Sequence, residues 1–130
     1  TIVVFDGRVL EKPADDDEAL HMLSQLSGNW HTVVTSFTVQ GIRQAVRRTV
    51  TVEAGVRFRA VSSGELARYV ATGEPSDKAG SYGIQRLGGF LVREIRGSYF
   101  AVVGLPVCEV VETLLELGAV TSFPFPGAAL

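Results

Sequence analysis

The sequence predicts a mixed α/β fold in which helices flank an open sheet. Runs rich in Val, Thr and aromatic residues alternate with turn signals, as the strands of a sheet do. Three other segments repeat their apolar residues at helical spacing. Because both kinds of segment have an apolar side to bury, a sheet with helices packed on its faces accommodates them. The 130 residues suffice for one domain with its own core.

The chain begins with a predicted hairpin. Residues 1–5 are β-branched and aromatic, which is typical of a buried strand. Asp6 and Gly7 form a strong hairpin-turn signal, and residues 8–10 return as a short second strand. Pro13 marks a break after the hairpin, because proline cannot donate a hydrogen bond to a sheet.

A helix is predicted next, between a run of acids and Gly28. Residues 15–18 are Asp-Asp-Asp-Glu, and apolar residues follow them at helical spacing. Consecutive acids could hold a metal ion, but adjacent positions are better suited to a helix N-terminus, where the macrodipole favours negative charge. We therefore expect the acids to begin this helix and Gly28 to end it.

Three strands of a meander are predicted over the middle of the chain. Residues 30–39 alternate and are rich in Val and Thr, and residues 42–53 follow after Gly41. Residues 56–61 form the third predicted strand, after Gly55. The short turns between these segments favour antiparallel neighbours.

A second helix and a second hairpin are predicted after the meander. Ser62 or Ser63 can cap the helix, which ends at Gly73. Residues 90–95 and 98–103 are strand-like and are joined by a short turn.

The final predicted helix follows Pro106 and closes at Gly118. Cys108 lies in its apolar pattern, so we expect a buried and inert thiol. The domain is predicted to cover residues 1–120, and residues 121–130 to form a loose tail with two prolines and a glycine.

The segment from Gly73 to Gln85, GEPSDKAGSYGIQ, is the first candidate for a functional site. It offers a carboxylate, an ammonium group, a phenol and a carboxamide at Asp77, Lys78, Tyr82 and Gln85. A long polar loop rich in glycine is where a domain commonly carries its chemistry. Composition alone favours a solvated connection, and the surrounding sequence reverses that interpretation.

Composition excludes several classes of partner. A formal net charge of −2 argues against nucleic-acid polymers or anionic membranes as main partners. No apolar run approaches the roughly 20 residues that span a bilayer. The one cysteine rules out an intramolecular disulfide, and together these features favour a cytoplasmic protein.

The two histidines carry no strong functional signal. His31 lies in a strand pattern, where a hydrogen-bonded structural histidine is favoured over a catalytic one. His21 has polar neighbours on a helix and is expected at the surface. One cysteine and two histidines are too few for a zinc site.

Four segments in this order resemble the Maf family of nucleoside triphosphate pyrophosphatases, first associated with inhibition of septum formation. They are TIVVFDGRVLEKP, SGNWHTVVTS, VRFRAVSSGELARYVATGEPSDKAGSYGIQ and VVGLP. The resemblance covers residues 1–119, and its most specific part is the DKAG-x-YGIQ block. It implies an inosine-triphosphatase-like α/β fold that lacks its first strand-helix unit.

The resemblance also implies roles for five residues. Thr1 and Gln85 match positions linked to base selection in the dTTP/UTP-preferring subgroup. Lys12 matches the lysine of a G-K-P motif and would contact phosphate, as would Lys78. Asp77 would help to hold a divalent cation, Mg²⁺ or Mn²⁺, or would pair with Lys78.

The reaction implied is hydrolysis of a nucleoside triphosphate, dTTP or UTP or a modified form, to the monophosphate and pyrophosphate. In the family an S-x-S-P-R-R loop and a catalytic Asp precede the position of Thr1, so we expect no catalytic base among these residues and little turnover by them alone. A 7-methyl-GTP pyrophosphatase and an inactive nucleotide-binding or interaction domain are the alternatives. The resemblance is compatible with a homodimer.

Overall fold

The computed structural model describes residues 1–42 and 45–126. Its centre is a five-stranded antiparallel sheet with strand order β2-β1-β3-β4-β5. The strands are β1 (Ile2–Phe5), β2 (Arg8–Leu10), β3 (Trp30–Gln40), β4 (Arg47–Phe58) and β5 (Val92–Arg96). The helices are α1 (Asp16–Leu26), α2 (Ser63–Val70), α3 (Tyr99–Val103) and α4 (Val107–Glu116). The predicted mixed α/β fold with an open sheet and flanking helices is confirmed.

The long pair β3 and β4 forms the middle of the sheet, paired from Trp30 opposite Arg57 to Gln40 opposite Arg47. Alternate residues of both strands are buried on one face, as the period of a strand requires. Helices α1 and α2 cover that face, and the shared core includes Leu23, Val33 and Phe58.

The prediction of two separate strands at 42–53 and 56–61 is wrong, because β4 is one continuous strand. Gly55 lies inside β4, and a Cβ there would come within 3.4 Å of the Trp30 ring. That distance is an ordinary van der Waals contact, and Gly55 pairs with Thr32 of β3 and Arg96 of β5, so it continues the strand and does not mark a turn. Positions 43 and 44 of the predicted strand lie outside the described residues.

The predicted strand at 98–103 is also wrong, because this segment forms α3. The Ser98 hydroxyl accepts a hydrogen bond from the Ala101 amide at 3.2 Å and caps the helix. Ala101 is fully buried, and its carbonyl accepts a hydrogen bond from Thr35 Oγ1 at 2.7 Å. The cap and this tertiary contact outweigh the strand preference of the Tyr, Phe and Val residues in this segment.

Of the three predicted helix starts, two are confirmed by their side-chain caps, and the third helix, α4, begins after Pro106 as predicted. Asp15 accepts a hydrogen bond from the Glu18 amide at 2.8 Å. Ser62 and Glu65 form a capping box, and the Arg59 guanidinium donates to Glu65 at 2.6 Å. Hydrogen bonds from Arg59 and Ser62 lower the pKa of Glu65 to about 2. Within residues 1–42 and 45–126, no three His, Cys, Asp or Glu side chains are grouped to hold a metal ion.

The expected burial of Cys108 is wrong, because this side chain is exposed on α4. The nearby Glu112 carboxylate is the main reason that its pKa is raised, which disfavours the reactive thiolate. His21 is exposed, as predicted.

The described helices are all too short or too polar to cross a membrane. The division between a domain at 1–120 and a tail at 121–130 stays a prediction, and residues 127–130 lie outside the described part.

Candidate functional site

A cavity of about 510 Å³ opens beside the first strands of the sheet. Its apolar wall includes Val3 of β1, Val33 of β3 and Val102 of α3. This volume lies in the range of small-molecule sites. All of the residues implied by the resemblance line this one cavity, although they come from separate parts of the chain: Thr1, Lys12, Asp77, Lys78 and Gln85.

The loop at 73–85 forms one wall of the cavity and is docked against the first hairpin. It contains two short 3₁₀ turns, Glu74–Asp77 and Ala79–Ser81. Gly80 has φ +68°, and a Cβ there would lie 3.0 Å from the Val3 side chain. Its amide donates to the Glu11 carbonyl at 3.2 Å. Glycine is therefore required for both the backbone conformation and the close approach.

The residues that line the cavity include more cations than carboxylates. Lys12, Lys78 and Arg86 line it, together with the carboxylate of Asp77. Lys78 Nζ lies 2.7 Å from Asp77 Oδ1 and lowers the pKa of that carboxyl, with a smaller contribution from the charge of Lys12. A surplus of positive charge around a small cavity suits a polyphosphate ligand.

The absence of a side chain at Gly83 leaves room for the stem of Lys78. A Cβ on residue 83 would lie 2.6 Å from Lys78 Cε, so the lysine stem passes directly over this glycine. Arg86 lines both this cavity and a second depression beside it, together with Asp77 and Lys78. Arg86 was not among the residues that the sequence indicated for this site.

Thr1 and Gln85 are uncharged polar residues of the same cavity. Thr1 Oγ1 lies 2.7 Å from Thr35 Oγ1, and Thr35 is anchored to the Ala101 carbonyl. Gln85 is exposed and makes no side-chain hydrogen bond to the described residues, so its carboxamide is available to a ligand. Thr35 was missed from the sequence, although its place in the inward-facing alternation of β3 could have indicated it.

His31 is a buried core residue, as predicted. Its Nε2 lies 2.8 Å from the hydroxyl of Tyr82, and its ring packs edge-on against Phe58 and Tyr82. Burial lowers the pKa of His31 to about 4, so the ring is neutral near pH 7. Tyr82 lines the cavity, and His31 supports it from behind.

Comparison with known proteins gives a consistent set of relatives. A family model described as "Maf-like protein" matches residues 1–117. A dTTP/UTP pyrophosphatase of Syntrophus aciditrophicus is 47% identical over 93% of this chain and 59% of its own length. Proteins of the same name from Alcanivorax borkumensis (56% identity, 88% of this chain, 58% of the relative) and Salmonella typhimurium (50%, 92%, 59%) agree.

The chain spans less than two thirds of the length of these relatives. Within that span, the match extends from the hairpin that carries Thr1 and Lys12, through the loop that carries Lys78 and Gln85, to α4. On the family model and on the identities of these relatives, this chain belongs to the Maf-like family.

Proposed function

We propose that this chain is part of a nucleoside triphosphate pyrophosphatase that hydrolyses dTTP and UTP to the monophosphate and pyrophosphate. The observation that carries the proposal is that Thr1, Lys12, Lys78 and Gln85 line one cavity of small-molecule size. The names of the relatives support the substrate class. Removal of unwanted nucleotides from the cellular pool is the corresponding role.

In this proposal the lysines of the cavity bind the phosphates, and Gln85 contacts the base. The ammonium groups of Lys12 and Lys78 would neutralise the charge that develops on the leaving pyrophosphate. Water adds to the α-phosphorus as the bond from that atom to the bridging oxygen breaks. The carboxamide of Gln85 can donate to a pyrimidine carbonyl and accept from its imide N–H. We assign no catalytic base within this chain.

Asp77 is the residue that fits a divalent cation. Its lowered pKa keeps the carboxylate ionised at neutral pH, and it lines the cavity beside the two lysines. Mg²⁺ at phosphate sites commonly takes one or two carboxylates and completes its shell with phosphate oxygens and water. Such an ion would supply further charge neutralisation to the triphosphate.

Turnover of a nucleotide panel tests the proposal. The protein that carries this chain with its upstream sequence is assayed by phosphate release in the presence of an added inorganic pyrophosphatase. We expect dTTP and UTP to be the preferred substrates among the standard and modified triphosphates. Preference for 7-methyl-GTP would establish the alternative specificity, and absence of any turnover would contradict the enzyme proposal.

Replacing Gln85 with Ala should weaken base selection. Loss of a paired hydrogen bond to the base should lower the kcat/KM preference for dTTP over dATP by roughly tenfold, because about 1–2 kcal/mol of discrimination is removed. Affinity for inorganic triphosphate should change little, since Lys12 and Lys78 remain. Gln40→Ala, an exposed carboxamide on β3, is the matched control. An unchanged substrate profile would count against this role of Gln85.

We also propose a cytoplasmic location and a homodimer. Tyr99, Phe100 and Leu105 are large apolar side chains exposed around α3. Such a patch supports association through this surface. Light scattering of the purified protein gives the mass in solution, and a monomer at micromolar concentration would contradict the dimer.

A further inference from the structure

The carboxylate of Glu74 accepts three hydrogen bonds at the base of the functional loop. The hydroxyl of Tyr69 and the amide of Gly88 donate to Oε1, each at 2.9 Å. The amide of Leu87 donates to Oε2 at 3.2 Å. Glu74 lies four residues after the end of α2, whereas Leu87 and Gly88 lie thirteen and fourteen positions further on. One side chain therefore joins the two ends of the loop.

Tyr69 ties the middle of the loop to the same point. Its hydroxyl accepts from the Gly83 amide at 3.2 Å while it donates to Glu74. The ring is buried on α2, and burial raises the pKa of Tyr69, so the hydroxyl stays protonated and can donate. Gly83 is the residue under the stem of Lys78. Tyr69, Glu74, Gly83, Leu87 and Gly88 are called the Glu74 cluster below.

The cluster closes the chain into a loop, and several of the enclosed residues line the cavity. Asp77, Lys78 and Gln85 all lie between Glu74 and Leu87, and all three line the cavity. Glu74 does not line this cavity itself and borders only the second depression beside it. Its action on a ligand in the cavity must therefore pass through the residues of the loop.

We propose that Glu74 is a positioning residue, whose carboxylate holds the loop so that Lys78 and Gln85 reach opposite ends of the same nucleotide. The proposal rests on the proposed function. Because Glu74 does not line the cavity, contacts with a bound ligand would not identify it. The two anchoring ends determine the path of the intervening backbone, and the Tyr69–Gly83 bond supports that path at its midpoint.

The position requires a carboxylate because all three partners of Glu74 are donors. An ionised carboxylate accepts at both oxygens, whereas a carboxamide of the same shape carries two N–H donors on one side. In Glu74→Gln, an oxygen placed toward Tyr69 and Gly88 leaves the amide nitrogen facing the Leu87 N–H. The substitution therefore removes one bond and adds a donor-to-donor contact without creating a cavity.

Hydrogen exchange and nucleotide affinity of Glu74→Gln test the proposal together. Loss of a charge-assisted hydrogen bond should raise the exchange rates of the Leu87 and Gly88 amides by roughly tenfold. The KM for dTTP should rise by a similar factor, and kcat should fall less, because the loop is misplaced before the substrate binds. Glu74→Asp, which keeps the charge on a shorter stem, should recover part of both changes.

Tyr69→Phe removes a single oxygen and tests the midpoint of the loop. The Gly83 amide should exchange faster, and the dTTP affinity should fall in the same direction as in Glu74→Gln. Tyr99→Phe removes an exposed hydroxyl on α3 and is the matched control. We expect it to leave the exchange of Gly83 at the wild-type rate.

Glu65→Gln separates positioning from general stability. It weakens the cap of α2 and the ion pair with Arg59, so it should lower the melting temperature while loop exchange and the KM for dTTP stay at wild-type values. Wild-type loop exchange in Glu74→Gln would overturn the proposal, as would a loosened loop with unchanged KM. If the wild-type protein acts on no nucleotide, the proposed function itself fails, and exchange still decides whether Glu74 holds the loop.

Discussion

Acidification from about pH 7 to about pH 4 should cost the protein about 3 kcal/mol of unfolding free energy through His31 alone. Burial lowers the pKa of this ring in the folded chain to about 4, below the ordinary value of 6.5. Between these two values, the unfolded chain binds a proton that the folded chain does not. Stability is therefore complete above about pH 6.5 and is lost as the pH falls toward 4.

The surroundings of His31 explain why a charge is disfavoured there. The ring contacts Phe58 and Tyr82, and neither offers a counter-charge. Burial raises the pKa of Tyr82, so its hydroxyl stays neutral throughout this range. Nδ1 of His31 has no hydrogen-bond partner among the described residues. Protonation would thus place an uncompensated charge in the core.

Urea unfolding of the wild type and of His31→Gln at several pH values measures this effect. The glutamine can keep a hydrogen bond to Tyr82 but does not titrate, so the variant should lose about 3 kcal/mol less than the wild type on acidification. His21→Gln, at an exposed histidine, should retain the wild-type dependence. Equal slopes in the wild type and His31→Gln would show that His31 is not the group responsible.

Gly88→Ala should destabilise the folded protein by about 3 kcal/mol, since overpacking of this severity costs 1–3 kcal/mol or more. A Cβ at residue 88 would lie 2.4 Å from the Tyr69 hydroxyl oxygen and 2.5 Å from the Gly83 carbonyl oxygen. One of these is backbone and the other is hydrogen-bonded to Glu74, so neither can move without breaking the Glu74 cluster. We expect the loop to detach and the KM for dTTP to rise with it.

Thermal unfolding and dTTP kinetics of Gly88→Ala measure the two consequences. Gly64→Ala is the matched control, because its Cβ would lie in ordinary contact, 3.5 Å from Arg68, on an exposed turn of α2. Alanine should stabilise that helix by about 0.5–1 kcal/mol. A wild-type melting temperature in Gly88→Ala would contradict the close packing of the loop.

Local signals predicted those elements whose ends are set by their own side chains. Asp15 and Ser62 cap the helices that follow them because the capping oxygen and its amide partner lie three residues apart. The segment 98–103 was predicted as a strand because its Tyr, Phe and Val residues favour strands. The cap at Ser98 and the burial of Ala101 against Thr35 make it a helix instead. Gly55 was predicted to mark a turn, but its backbone pairs with Thr32 of β3 and Arg96 of β5, which lie 23 and 41 positions away along the chain. Exposure of Cys108 likewise depends on which side of α4 faces the sheet.

In the candidate site, too, some residues could be predicted from the sequence and others only from the structure. Residue patterns were enough to indicate the family, the loop and the candidate residues Thr1, Lys12, Lys78 and Gln85, because the motifs that carry them are contiguous or ordered along the chain. Only the tertiary structure placed these residues around one cavity and showed that Arg86 lines it with them. Glu74 was found only there as well, because its partners are donors on α2 and beyond the loop, and no local pattern brings those groups together.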